Sequence, residues 1–360
     1  MAWLWRFSLA AWLAAATPLA AQVVAGQVVD QATAAPVGEG FVVLLDEQGR
    51  EVARTLTAAD ARFVLHAPRS GRYRLRSERI AYVAFVTAPF ALDVGQTLTQ
   101  QLTVTPLAVE LAAIEVTGRT TCRLSPERAE RTDAVWEEAR KALAAAVWTE
   151  HQQTYQYRTV AFERSWDDSR RVIREQLSDT QFGHARNPFA SAPAAELAEH
   201  GYIVAGAADS MSYYGLDAVV LQDSAFLTTH CFGVVRRTVH GVQQVGLSFR
   251  PEPRRRLPDV RGALWLDEGT AELRALEFSY TQVPEGVNDE RIGGTVEFLR
   301  LPSGAWIIRR WELRMPRLAA QTVTVPYGGS ERHVLVRGFR DQGGEVLEIH
   351  ALDGKRVFPP

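Results

Sequence analysis

In several stretches of the chain, such as residues 73–76, 273–280 and 306–315, apolar and polar residues exchange places every second position. This is the period that lays one face of a strand against a core. From residue 22 onward the runs are short and divided by turn residues. Residues 23–29 form the first, and Asp30-Gln31-Ala32-Thr33 turns after it. Residues 41–45 are a continuous apolar run, closed by Asp46-Glu47-Gln48-Gly49. Residues 51–56, 62–65, 73–76, 82–86, 90–94 and 97–104 follow, with turns at Ala58-Ala59-Asp60 and Pro68-Arg69-Ser70-Gly71. About seven short strands at this spacing predict a β-sandwich over residues 22–105.

The period then changes. Residues 106–125 read as a linker. Ser125 followed by Pro126 is a helix start, a serine cap with proline at the first helical position. Val135, Trp136, Ala139, Leu143, Ala146 and Val147 recur at helical spacing, so an amphipathic helix near 126–148 is expected against the second domain. A partner-binding helix is the alternative. Strand-like alternation returns afterwards. Residues 154–166 and 170–180 flank the turn Asp167-Asp168-Ser169. Residues 187–201 read as a loop with a short helix, and 215–226 as another short helix. Residues 242–249, 262–267, 273–280, 294–301, 306–315, 333–340 and 345–352 predict an antiparallel meander of long strands. Leu276, Phe278 and Tyr280 share one face, opposite Glu277 and Ser279. Ile307, Trp311, Leu313 and Met315 are expected to oppose Ile308, Arg310, Glu312 and Arg314. The fold class is therefore mainly β: a seven-stranded sandwich, then over 126–360 a larger antiparallel sheet, curved or half-barrel, with one packed helix.

Residues 1–21 are of a different kind. Arg6 is the only charge, residues 7–16 are apolar, Pro18 breaks the run, and Leu19-Ala20-Ala21 offers small residues to a peptidase. A signal peptide cleaved between Ala21 and Gln22 is expected, which places the protein in the periplasm, at the outer membrane or outside the cell. No later stretch approaches twenty uncharged apolar residues, so the mature chain is expected to carry no transmembrane segment. Export changes the reading of the two cysteines. Cys122 and Cys231 are expected as a disulfide, with two buried thiols as the alternative.

The 46% hydrophobic and 23% charged residues of the 360-residue chain are those of folded domains rather than disorder. The formal net charge of −2 gives no electrostatic case for nucleic acid. Arg254-Arg255-Arg256 reads as a solvated loop. Motif chemistry is sparse. There is no HExxH for zinc, no GxSxG elbow, and Gly38-Glu39-Gly40 stands before a strand, where no phosphate loop forms. Asp167-Asp168 is explained by its turn. The eight histidines are scattered; His230, Cys231 and His240 could meet in space as a catalytic or metal-binding set, and that reading is not adopted. No catalytic residue, metal ligand or cofactor is assigned.

Several of these stretches carry resemblances. The order GQVVD (26–30), PVGEGFVVLLD (36–46), a turn with Thr57, RFVLHAPRSGRYRLR (62–76) and Ile80-Ala81-Tyr82 resembles the carboxypeptidase regulatory-like domain. That family is a transthyretin-like sandwich grouped with carbohydrate-binding-like folds. Asp60-Ala61 stands where the family commonly has a glycine. The resemblance covers roughly residues 24–105 and implies a non-catalytic accessory module. Residues 107–118, ending Val116-Thr117-Gly118, resemble the segment joining this module to the plug of TonB-dependent receptors. The strands after it are too few for a receptor barrel. GALWLDEGTAELRALEFSY (262–280) and LPSGAWIIRRWELRMP (301–316) resemble hairpins of the lipoprotein-carrier curved sheet, which implies a concave apolar face for an acyl chain. Trp265, Phe278, Phe298, Trp306 and Trp311 either fill a core or line such a face. The expected function is thus a non-catalytic envelope binding protein, its partner an envelope glycan or outer-membrane protein. A carrier of a lipid-like ligand is the alternative, and an unrecognised hydrolase the third.

Overall fold

A computed structural model describes residues 22–106, 122, 126–167, 169, 171–184, 191–206, 211–283, 291–325 and 329–359. The expected signal peptide, the segment 107–121 and the Ser125 cap lie outside these residues. The fold is mainly β.

Aspartates stop the strand runs of the first unit. Asp30 Oδ1 accepts the amides of Ala32 and Thr33, and Asp46 Oδ1 those of Gln48 and Arg50. Between such turns lie β1 (Gln22–Asp30), β2 (Phe41–Leu45), β3 (Glu51–Leu56), β4 (Arg62–Ala67), β5 (Gly71–Glu78), β6 (Phe85–Val86), β7 (Phe90–Leu92) and β8 (Thr97–Val104). One sheet has the order β4-β1-β8, with β8 parallel to β1. The other has the order β3-β2-β5-β6, with β7 on β5. Val24, Phe63, Leu65 and Leu102 of the first sheet meet Val42, Leu44, Leu75 and Leu92 of the second. The stretch 82–86 yields only the two-residue β6. Phe85 and Val86 are exposed there, so no core holds a longer strand. The sandwich thus has eight strands rather than seven.

β2 is buried at every position. Val42 and Leu44 enter the sandwich core, whereas Phe41, Val43 and Leu45 join the main core of the chain. A continuous apolar run is what a strand covered on both faces requires. The cover is α1 (Pro126–Gln152), whose 27 residues span about 40 Å. It runs past residue 148 and ends where Gln153 takes a left-handed φ of 50°. Val135, Ala139, Ala142, Leu143 and Ala146 form its buried stripe. Trp148 meets Phe41 edge-on, with ring centroids 5.3 Å apart. Beside them runs a buried polar seam. Lys141 Nζ lies 2.6 Å from Glu138 Oε1 and donates to the carbonyls of Arg79 and Tyr82, while Glu138 accepts the Ala81 amide. The helix expected on the second domain is therefore fastened to the first as well.

The chain continues through β9 (Tyr155–Trp166), β10 (Val172–Leu177), β11 (Gln181–His184), α2 (Ala194–His200), β12 (Ile203–Ala205), β13 (Met211–Tyr213), α3 (Ala218–Gln222) and α4 (Ser224–Thr229). Then come β14 (His230–Val239), β15 (Val242–Pro251), β16 (Asp259–Asp267), β17 (Leu273–Thr281), β18 (Gly293–Arg300), β19 (Trp306–Val325), β20 (Gly329–Ala351) and β21 (Arg356–Phe358). The large sheet has the order β10-β9-β20-β19-β18-β17-β16-β15-β14, with β11 on β9 and β21 on β20. It is an antiparallel meander from β14 to β20, with β9 added beside β20.

Three expectations are corrected here. The single helix at 215–226 is two, because Asp217 caps α3 through the Val219 and Val220 amides and Asp223 caps α4 through that of Ala225. The strands expected at 333–340 and 345–352 are one, β20. Its Gly343-Gly344 pair makes room rather than a turn: a Cβ on Gly343 would fall 2.2 Å from the Phe162 ring, and one on Gly344 2.7 Å from Trp311 Nε1. Finally, a bulge in β19 shifts the register between Glu297 and Phe298, which pair with Arg310 and Ile308. One extra residue reverses the faces. Ile308 therefore packs with Trp311 and Leu313 against the main core, and Ile307 joins Tyr157 and Ile349 in a separate cluster.

Candidate functional site

α1 lies along one face of the large sheet and touches β14, β15, β17 and β19. Toward β14–β17 the space between them is filled. Leu247, Leu264, Leu276 and Tyr280 meet Leu143 of the helix together with Leu216, Val220 and Phe226. Toward β19, β20 and β9 it is not. There a cleft of about 690 Å³ opens between the C-terminal turns of α1 and the sheet.

Five elements of sheet and helix build its walls. Ala146, Val147 and Glu150 come from α1, and Val219 from α3. Tyr157, Thr159 and Ala161 come from β9, Trp306, Ile308 and Trp311 from β19, and Gly344 and Val346 from β20. Gly344 pairs with both Ala161 and Trp311, so these three form one lateral row of the floor. β11 brings Phe182 and His184 to the mouth. Phe182 and Val219 are each 58% exposed, unusual for side chains of their size.

Polar side chains are mixed with these walls, Thr149, His151, Gln181 and Glu345 among them, and several polar groups are engaged. Burial, and then the neighbouring Tyr155 and Glu150, push the Tyr157 hydroxyl well above its ordinary pKa, so it stays a neutral donor. Ser178 Oγ accepts the Ala161 amide and donates to the Asp179 carbonyl. Arg309 and Arg310 stand 4.0 and 3.5 Å from the Glu345 carboxylate at the edge. His184 Nδ1 lies 3.1 Å from the Tyr155 carbonyl. Apolar and polar walls together suit an amphipathic ligand, an apolar chain that carries a polar group.

The residues singled out from the sequence fall elsewhere. Cys122 and Cys231 form a disulfide, with Cα atoms 4.8 Å apart, tying the chain before α1 to the edge strand β14. Ala21 lies outside the described residues, and Gln22 is the first residue of β1. His230, Cys231 and His240 do not gather. His230 is buried, its Nε2 3.0 Å from Asp259 Oδ1 and its Nδ1 3.1 Å from the Phe226 carbonyl. His240 forms the two-residue β14–β15 turn with Gly241, both at positive φ, as a type I′ hairpin requires. Arg255 is not solvated. It pairs with the buried Asp259 and donates to the Leu197 and Ala198 carbonyls at the end of α2. Asp167 Oδ1 accepts the Arg171 amide in its turn, and Asp168 lies outside the described residues. Among the described residues, no group of three or more His, Cys, Asp or Glu side chains is placed to hold a metal ion. None of their helices is long and apolar enough to cross a membrane.

Of the five aromatics, Phe278, Phe298 and Trp306 belong to the main core, Trp306 and Trp311 border the cleft, and Trp265 lies beneath the Arg237 guanidinium at 4.0 Å. Residues such as Thr159, Val219 and Gly344 were not foreseen. The only sequence signal for them was a glycine pair within an otherwise strand-like run.

No protein-family model matches the chain, and no curated protein matches it. Among solved structures, the TIE protein of Bacillus anthracis aligns with a TM-score of 0.21 and 12% identity, over 44% of this chain and 25% of that one. The chain thus spans a quarter of that protein's length. A DUF1329 family protein from Desulfovibrio piger aligns with a TM-score of 0.26 and 9% identity, over 59% and 93% of the two chains. BcpA, the major pilin subunit of Bacillus cereus, aligns with a TM-score of 0.22 and 9% identity, over 90% and 95%. Likenesses at these scores carry no argument for a shared fold or function.

Proposed function

We propose that the protein is a non-catalytic binding protein of the cell envelope. It holds an acyl chain, or a similarly long apolar ligand, between α1 and the β9–β20–β19 part of the large sheet. The observation that carries this reading is the 690 Å³ cleft, walled by Tyr157, Trp306, Ile308, Trp311 and Val346 and open at Phe182 and Val219. Its volume lies within the ~300–1,000 Å³ usual for small-molecule sites. The envelope setting rests on the expected signal peptide and accords with the disulfide. The apolar cleft favours the lipid-like ligand over a glycan held by the sandwich, since β2 turns one face to α1 and the other to its own core.

About 0.8 kcal/mol per buried methylene gives a chain of about ten methylenes a gross gain near 8 kcal/mol. Association costs at least ~4 kcal/mol, so chains much shorter than this are held weakly. The test is a titration with a fluorescent long-chain fatty acid. Saturable binding is expected for the native chain. Thr159→Trp, which fills the floor, and Val219→Asp, which charges the mouth, are each expected to weaken it at least ten-fold. Equal binding by all three proteins would refute the reading.

A further inference from the structure

The opposite face of the large sheet carries a second groove, of about 590 Å³. Its position follows from register. Arg261 of β16, Ser279 of β17, Gly293 of β18 and Arg314 of β19 are successive partners across the sheet. The small side chains in the middle form a trough, and the arginines stand on either side, their Cα atoms about 14 Å apart at ~4.8 Å per strand. Arg250 of β15 joins the first wall and Arg291 the second.

The glutamates of the groove are taken up. Glu277 pairs with Arg237 at 2.7 Å, and Glu312 lies 3.3 Å from Arg310 and 3.6 Å from Arg314. The buried Asp341 holds Arg314 through two hydrogen bonds. Arg250 is different. It has no carboxylate partner among the described residues, and its Nε is buried without an acceptor. Buried donors are nearly always satisfied, by protein, water or ligand, and a guanidinium that lines a groove forms strong charge-assisted pairs with an oxyanion.

We propose that this groove binds a ligand bearing two or more phosphate-type anionic groups, laid across β16–β19 between Arg250 and Arg261 on one side and Arg314 on the other. Guanidinium groups on two walls match separated oxyanions better than a single one. The site is independent of the apolar cleft and stands or falls without it. A phosphorylated soluble molecule and an anionic lipid surface present the same chemistry.

The test is a calorimetric titration with tripolyphosphate at low salt, beside co-sedimentation with phosphatidylglycerol and with phosphatidylcholine vesicles. Saturable tripolyphosphate binding is expected, weakened about ten-fold or more by Arg250→Gln and by Arg261→Gln. Arg356→Gln removes the same charge from an exposed residue of β21, and binding should survive it. Because Arg261 is exposed, its variant should fold even if the Arg250 variant does not. Binding to phosphatidylglycerol vesicles alone, lost in Arg261→Gln, supports the site with a lipid headgroup as the source. Absence of binding to both probes, or binding that Arg261→Gln leaves unchanged, overturns the proposal.

Discussion

At its β14–β17 end the large sheet presents Leu247, Leu264 and Tyr280 to a helix and its neighbours that fit against them; at its β9–β20–β19 end it presents Thr159, Val346 and Trp311 to a space. Both ends show period-two alternation. The difference lies in what covers them. The pattern of a strand specifies which face is apolar, whereas the position of α1 decides whether that face is filled. That position is set from the sandwich side, by Trp148 on Phe41 and by Lys141 reaching the Arg79 and Tyr82 carbonyls. On this account the first unit serves the second by holding the helix in place.

The contrast can be broken in graded ways. The largest effect is expected from the disulfide, which anchors the filled end at β14 and joins residues 109 apart in sequence. Cys122→Ser with Cys231→Ser should lower unfolding free energy by about 5 kcal/mol in the chain-entropy model, read by denaturant melts. Next is Leu247→Ala, where the side chain is fully buried. A loss of about 3 kcal/mol is expected, whereas Thr159→Trp at the open end should change stability by less than about 1 kcal/mol. If the two cost the same, the open end is packed after all.

Some of this is legible in the sequence alone. The limits of β2, β3 and β8 match the runs expected for them, because apolar alternation and aspartate turns act within a few residues. Long-range consequences are not. That β2 is buried on both faces depends on a helix about ninety residues later. The bulge that exchanges Ile307 and Ile308 has no side-chain signature. The Arg255–Asp259–His230 staple needs the end of α2 beside the start of β16. The cleft is built from side chains between Ala146 and Val346, so no short stretch records it.

The smallest effect is acid sensitivity. Asp30 is held below its ordinary pKa, first by the Thr33 amide, with burial opposing and the Thr33 hydroxyl and Ala32 amide assisting. Asp167 is held below its own by the Arg171 amide, with burial opposing and the Arg171 side chain assisting. A lowered folded pKa adds stability above the unfolded value near 3.8, lost as pH falls through the folded one. Hydrogen exchange in the β1 turn and the β9–β10 turn should therefore quicken below about pH 4 and change little between pH 5 and 7. Asp30→Asn and Asp167→Asn should flatten that dependence locally.

The measurement that bears most directly on the open cleft is quenching of tryptophan emission by a fatty acid brominated mid-chain. Trp306 and Trp311 line the cleft. Saturable quenching is expected in the native chain, and its loss when both are replaced by phenylalanine while binding of an unbrominated probe persists. Quenching that survives both replacements, or none in the native chain, would contradict a ligand chain lying between α1 and the sheet.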